Sequence, residues 1–133
     1  MILVDSSVWI DYFNGIETPE TNKLDGLLGV QPVCTGDLIL VEVLQGFRKD
    51  QDYQSAKTMF CSLTIHALLG AALSFKSAEN FRTLRKQGIT FRKTIDTIIA
   101  TFCIENEFAL LHSDKDFYSF HQYLGLKSVS EHY

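Results

Sequence analysis

Prolines, cysteines and long apolar runs are scarce in this chain of 133 residues. The two prolines, Pro19 and Pro32, both fall in the first quarter. There is no Pro- or Ser-rich linker, low-complexity stretch or internal repeat, so residues 1–133 read as one domain. The three cysteines, Cys34, Cys61 and Cys103, are odd in number and far apart. That excludes a fully paired disulfide framework and a C-x-x-C zinc knuckle. They are expected as buried free thiols in a reducing cytoplasm. No run approaches the ~18 apolar residues that span a bilayer, so no membrane association is expected. The opening Met-Ile-Leu-Val-Asp lacks a basic region, and its apolar run stops at Asp5, unlike a secretory signal. A G-x-x-x-x-G-K-[ST] phosphate loop is also missing, which argues against a P-loop nucleotidase.

What is present suits a folded domain: 46% of residues are hydrophobic and 21% charged. The net charge is −4, from 12 Lys and Arg against 16 Asp and Glu. An acidic chain is a poor match for simple electrostatic binding of nucleic acid. A nucleic-acid substrate would require cations at any acidic site and basic residues gathered into patches.

Short apolar segments alternate with helical patterns. Ile2-Leu3-Val4 reads as a strand, and Asp5-Ser6-Ser7 as the cap of a helix carrying Val8, Trp9, Tyr12 and Phe13 up to Asn14-Gly15. Thr18-Pro19 opens a second helix that Gly29 ends. Val33-Cys34-Thr35 is a second strand, after which Asp37 caps a helix containing Glu42. Helical patterns follow over 53–63 and 70–87, with a short strand at Leu63-Thr64-Ile65 between them. Thr94 caps a helix to about Asn106, then come a buried strand over Phe108–Leu111, a short helix within 114–123 and a last strand near Leu126–Val129. This alternation predicts an α/β fold with a parallel sheet and helices on both faces. Ligand sites of such folds lie beyond the C-terminal strand ends, at a topological switch point.

Carboxylates collect where that rule points. Asp5 follows the first strand, Asp114 and Asp116 follow the strand at 108–111, and Asp96 lies in a first helical turn. Singly, Asp5 reads as a helix cap and Asp96 as a dipole-stabilised residue. Glu42, flanked by apolar residues, is harder to explain as surface, because burying a carboxylate without a partner is costly. Four gathered carboxylates repel unless protonated or bridged by a cation, and an all-oxygen donor set favours magnesium or manganese. Such a centre can activate water for attack on a phosphodiester.

Four stretches also carry a family resemblance. Val4-Asp5-Ser6-Ser7-Val8-Trp9-Ile10-Asp11, Leu40-Val41-Glu42-Val43-Leu44-Gln45-Gly46, Arg92-Lys93-Thr94-Ile95-Asp96-Thr97-Ile98-Ile99-Ala100 and Leu110-Leu111-His112-Ser113-Asp114-Lys115-Asp116-Phe117 occur in the order and spacing of PIN-domain ribonucleases. The chain most resembles the VapC toxins of bacterial and archaeal toxin–antitoxin pairs, over essentially its whole length. The resemblance implies a PIN-like three-layer sandwich with a mostly parallel sheet, and a magnesium- or manganese-dependent endoribonuclease acting on structured RNA. It assigns Asp5, Glu42, Asp96 and Asp114 as catalytic metal ligands, with Ser7 arranging the site. Asp116 would cap the following helix or orient a metal water, and the reverse assignment of Asp114 and Asp116 stands beside this one. Where the family often has threonine, this chain has His112, which reads as a neutral packing or supporting residue rather than a general base. The resemblance further implies a homodimer and a cognate VapB-like antitoxin that lays a basic residue among the carboxylates.

Basic residues group at Arg48-Lys49 and at Arg82, Arg85, Lys86, Arg92 and Lys93. Most such runs are solvated helix faces, but Arg92 and Lys93 immediately precede Asp96 and are candidate RNA contacts. The Trp9, Tyr12, Phe13 stripe has the spacing of a core face. Two other readings stand beside the ribonuclease. One is a non-catalytic PIN-like module that holds RNA or protein. The other is a small-molecule phosphohydrolase, which a phosphoaspartate would reveal.

Overall fold

The computed structural model describes residues 1–90 and 92–129. Five short strands, β1 (Ile2–Val4), β2 (Val33–Gly36), β3 (Thr64–His66), β4 (Ala109–Leu111) and β5 (Lys127–Ser128), form one sheet in the order β3-β2-β1-β4-β5. Every pairing is parallel, with Ile2 level with both Val33 and Ala109. Every residue of β1, β2 and β4 is buried, as expected of strands covered on both faces, and this is why β1 and β4 read as plain apolar runs. The edge strands β3 and β5 are mostly exposed and polar, which discourages further pairing.

Seven α-helices lie among the described residues: α1 (Ser6–Phe13), α2 (Pro19–Leu27), α3 (Asp37–Leu44), α4 (Asp50–Cys61), α5 (Ala71–Lys86), α6 (Thr94–Asn106) and α7 (Tyr118–Leu124). They pack in two groups, α1 with α2 and α3 and α3 with α4, then α5 with α6 and α7. The two groups and the sheet make the three layers. The aromatic stripe of α1 is core, as its spacing predicts. Trp9 is fully buried, stacked on Phe13 at 5.7 Å between ring centroids and set edge-on to Phe60 at 4.9 Å. At the start of α3, Leu68 fills the space beside Gly36 so closely that a Cβ there would sit 2.3 Å from Leu68 Cγ.

Three local expectations are corrected. Asp37 is the first residue of α3 rather than its cap, because its Oδ1 accepts from the Leu38 and Leu68 N–H groups and ties the helix to the segment after β3. Thr94 is likewise the first residue of α6, and Lys93 holds the cap position without a side-chain bond. Cys34 and Cys103 are buried free thiols, but Cys61 is exposed on the last residue of α4.

The chain starts in the middle of the sheet. It builds outward through β2 and β3, then crosses back to place β4 on the other side of β1. This reversal opens a crevice beyond Val4 and Leu111, which are paired in register. A helix that leads back into a parallel strand runs against the strand direction. The first turn of α6 therefore lies at the same sheet edge as the ends of β1 and β4.

Candidate active site

Asp5 is fixed by the end of β1. Its backbone N–H donates to Leu111 O at 2.9 Å, continuing the ladder one residue past the strand. It also caps α1: Oδ2 accepts from Ser7 N at 3.1 Å and from Ser7 Oγ at 2.6 Å. Oδ1 is buried and has no hydrogen-bond partner. The capping reading and the site reading thus describe one residue, with one oxygen for each. Ser7 Oγ also accepts from the Ser113 N–H at 3.3 Å, so this hydroxyl ties α1 to the segment after β4.

Asp96 approaches from the first turn of α6. It is 4% exposed, and its Oδ2 has no partner. Burial, reinforced by the charges of Asp5 and Asp114 and opposed by Lys93, pushes its carboxyl up to about 7. Burial also raises Asp5, against the Ser7 bonds that favour its charged form. Both carboxylates therefore stand where the protein compensates their negative charge only in part.

Carboxylate oxygens of Asp96, Asp114 and Asp116 lie within 4.8 Å of one another. The structure therefore brings both aspartates after β4 to the site. The capping role expected of Asp116 is filled by Asp114, whose Oδ1 accepts from Asp116 N at 2.9 Å in the 3-10 turn Lys115–Phe117. Asp5 and Glu42 stand outside this three-residue cluster and border it. Asp5 raises Asp96 through its charge, and Glu42 acts on Asp5 in the same way. Glu42 is half-buried on α3, and its Oε1 accepts from Ser6 Oγ at 2.7 Å. Arg92 and Lys93 are exposed at the start of α6. A Mg2+ or Mn2+ ion fits this donor set: the ligand atoms are hard oxygens, and two buried carboxylate oxygens have no other partner.

The segment after β4 is held by a histidine chain that sequence spacing did not reveal. Asp114 N donates to His112 Nδ1 at 3.2 Å. His112 Nε2 meets His121 Nε2 at 2.9 Å, and His121 Nδ1 meets Leu126 O at 2.8 Å. A carbonyl can only accept, so His121 carries its proton on Nδ1 and accepts at Nε2. His112 accepts at Nδ1 and therefore donates from Nε2. The bonds close with one proton per ring. Burial, together with the facing His121, lowers His112 to about 4, in keeping with the neutral role read from the sequence. Both of its nitrogens are engaged, so His112 is available neither as a base nor as a metal ligand. His121 and Ser6 escaped the sequence reading because no spacing rule links residues 9 or 36 positions apart.

A family model for the PIN domain matches residues 2–121, and the chain belongs to that family. Among curated proteins it is similar to VapC ribonuclease Mb1587 of Mycobacterium bovis and to ribonuclease VapC11 of Mycobacterium tuberculosis. Each is 27% identical over 120 residues, covering 88% of this chain and 89% of the relative. Among solved structures, VapBC2 from Rickettsia felis, bound to a promoter DNA fragment, superposes with a TM-score of 0.72 at 22% identity, over 97% of this chain and 98% of that one. The Mycobacterium tuberculosis toxin VapC20, described as cleaving the sarcin-ricin loop, gives 0.70 at 18% identity with the same coverage. At such identities these two likenesses speak for the fold.

Proposed function

We propose that this chain is a divalent-metal-dependent endoribonuclease, the toxin of a toxin–antitoxin pair. The observation that carries the reading is the convergence of Asp96, Asp114 and Asp116, beside Asp5, at the switch point between β1 and β4. Asp5, Glu42, Asp96 and Asp114 would hold Mg2+ or Mn2+, with Asp116 beside them. When bound, the ion would compensate charge building on the phosphate and activate a water for attack. The protein's own share is positioning. Ser7 orients Asp5, Ser6 orients Glu42, and Arg92 and Lys93 offer cations to the RNA backbone in an otherwise acidic chain. The names of the curated relatives support the RNA substrate, and VapBC complexes among its structural neighbours support a VapB-like antitoxin. A cleft lined by Ile10, Phe13, Phe47 and Glu42, with Val41 59% exposed nearby, suits an apolar antitoxin segment ending in a cation. Phe75, 75% exposed on α5, offers an apolar contact for a second copy in a homodimer.

The test is cleavage of total cellular RNA by purified protein with Mg2+, Mn2+ or EDTA, beside Asp5→Asn. Discrete fragments that require both metal and Asp5 are expected. Folded, antitoxin-free protein that cuts no RNA under any condition would overturn the reading in favour of a non-catalytic binding module.

A further inference from the structure

Exposed aromatic rings stand beside the carboxylates on a face that the cleavage chemistry does not use. A cleft of about 350 Å³ runs between α7 and the segment Ile89-Thr90 that follows α5, with Asp116, Lys115, Tyr118, Gln122 and Tyr123 on its walls. Its size is at the small end of ligand-binding clefts, which run about 300–1,000 Å³. Asp116 belongs both to this cleft and to the carboxylate cluster, so the two adjoin. Tyr118 is 62% exposed and Tyr123 47%, although most aromatic rings of this chain lie in or against its core. Tyr118 is backed by the His112 ring, at 6.0 Å between centroids, so the histidine chain that holds Asp114 also steadies this ring. Around the rings the walls are polar, with Thr90, Lys115, Ser119 and Gln122.

We propose that this cleft is a nucleobase subsite, which takes an unpaired base of the RNA next to the scissile phosphate and stacks it on Tyr118 and Tyr123. Proteins that read single-stranded RNA use this combination of exposed aromatic faces, a nearby cation and polar groups for the base edge. Lys115 reaches the adjoining phosphate, and the Gln122 amide offers a donor and an acceptor to the base edge. A protein partner fits this surface less well, because the rings are separated by polar side chains and bordered by Asp116. The proposal deepens the ribonuclease reading and rests on it for the identity of the nucleic acid.

The probe is a short single-stranded RNA of mixed sequence carrying 2-aminopurine at an internal position, with Mn2+ present. Its fluorescence is followed on the wild-type chain, Asp5→Asn, Tyr118→Ala/Tyr123→Ala and Tyr118→Phe/Tyr123→Phe. Stacking predicts quenching by wild type, by Asp5→Asn and by the phenylalanine pair, and none by the alanine pair. For cleavage, the alanine pair should raise KM about tenfold or more, with kcat changed much less, and phenylalanine should restore it. Should the alanine pair fail to fold, Tyr118→Ala and Tyr123→Ala singly carry the test. Quenching without cleavage by wild type would uphold the subsite and sink the ribonuclease reading. Cleavage without quenching would do the reverse. An altered oligomeric state of the alanine pair with unchanged RNA parameters would overturn the subsite in favour of a protein interface.

Discussion

The two sides of the carboxylate crevice are built by different means. On the β1 side, Asp5 is held by regular structure: the strand ladder carries its backbone, and its side chain caps α1. On the β4 side the chain leaves the sheet after Leu111, and Asp114 and Asp116 are placed by side chains. These are the Ser7 hydroxyl, the Asp114 cap and the His112–His121 chain anchored on Leu126 O. A site can therefore depend on main-chain hydrogen bonds at one wall and on a few polar side chains at the other. The second kind of wall is the easier to break with one substitution.

The largest expected effect follows from that asymmetry. His121→Ala removes both the ring that accepts from His112 and the anchor on Leu126 O. Supporting residues around metal ligands commonly change metal affinity or activity about 10–100-fold, and a loss of that order in Mn2+-supported cleavage is expected. A variant that cleaves as well as wild type at limiting Mn2+ would show that the β4 wall does not need the histidines. Ser7→Ala should cost less, roughly fivefold, because Asp5 keeps its ladder bond and the Ser7 N–H. Cleavage rates for the two variants side by side measure how unequal the walls are.

A smaller and separable effect is on stability without metal. The folded chain keeps the Asp96 proton up to about pH 7, whereas an unfolded aspartate releases it near about 3.9. Stability from this group is present below the lower value and is lost as the pH rises through the upper one. His112 runs the other way. Its folded value is depressed to about 4, so stability falls as the pH drops from about 6.5 towards it. The opposition is removed by comparing wild type with Asp96→Asn, which both contain His112. In EDTA the variant should melt higher than wild type by a margin that is small at pH 5 and grows to about 5 °C or more at pH 8. Equal melting temperatures at pH 8 would mean that the Asp96 charge is already compensated within the protein.

The same contrast explains what was legible in the sequence. The β1 wall is local. A buried apolar triplet followed by Asp-Ser-Ser specifies strand, cap and helix, and Asp5 could be read directly. The parallel sheet and the half-buried position of Glu42 were readable for similar reasons. The β4 wall is assembled from groups distant in sequence, such as Ser7 with Ser113 and His112 with His121. No helical or strand period connects them, so the histidine chain stayed hidden, and the sequence left open which of Asp114 and Asp116 makes the cap. Helix starts shifted by one residue at Asp37 and Thr94: Gly36 and Lys93 hold the cap positions without side-chain bonds, and Asp37 is tied instead to the Leu68 N–H. Cys61 was misjudged because a lone cysteine carries no information about which helix face it occupies.

The central claim is that both walls together hold a divalent cation. Calorimetric titration of Mn2+ into wild type and Asp96→Asn at pH 7, in buffers of different ionisation enthalpy, tests it most directly. Wild type should bind with release of a fraction of a proton, because Asp96 must lose the proton it partly retains at this pH. Asp96→Asn should bind more weakly and release less. Equal affinity and equal proton release in the two proteins would contradict the account.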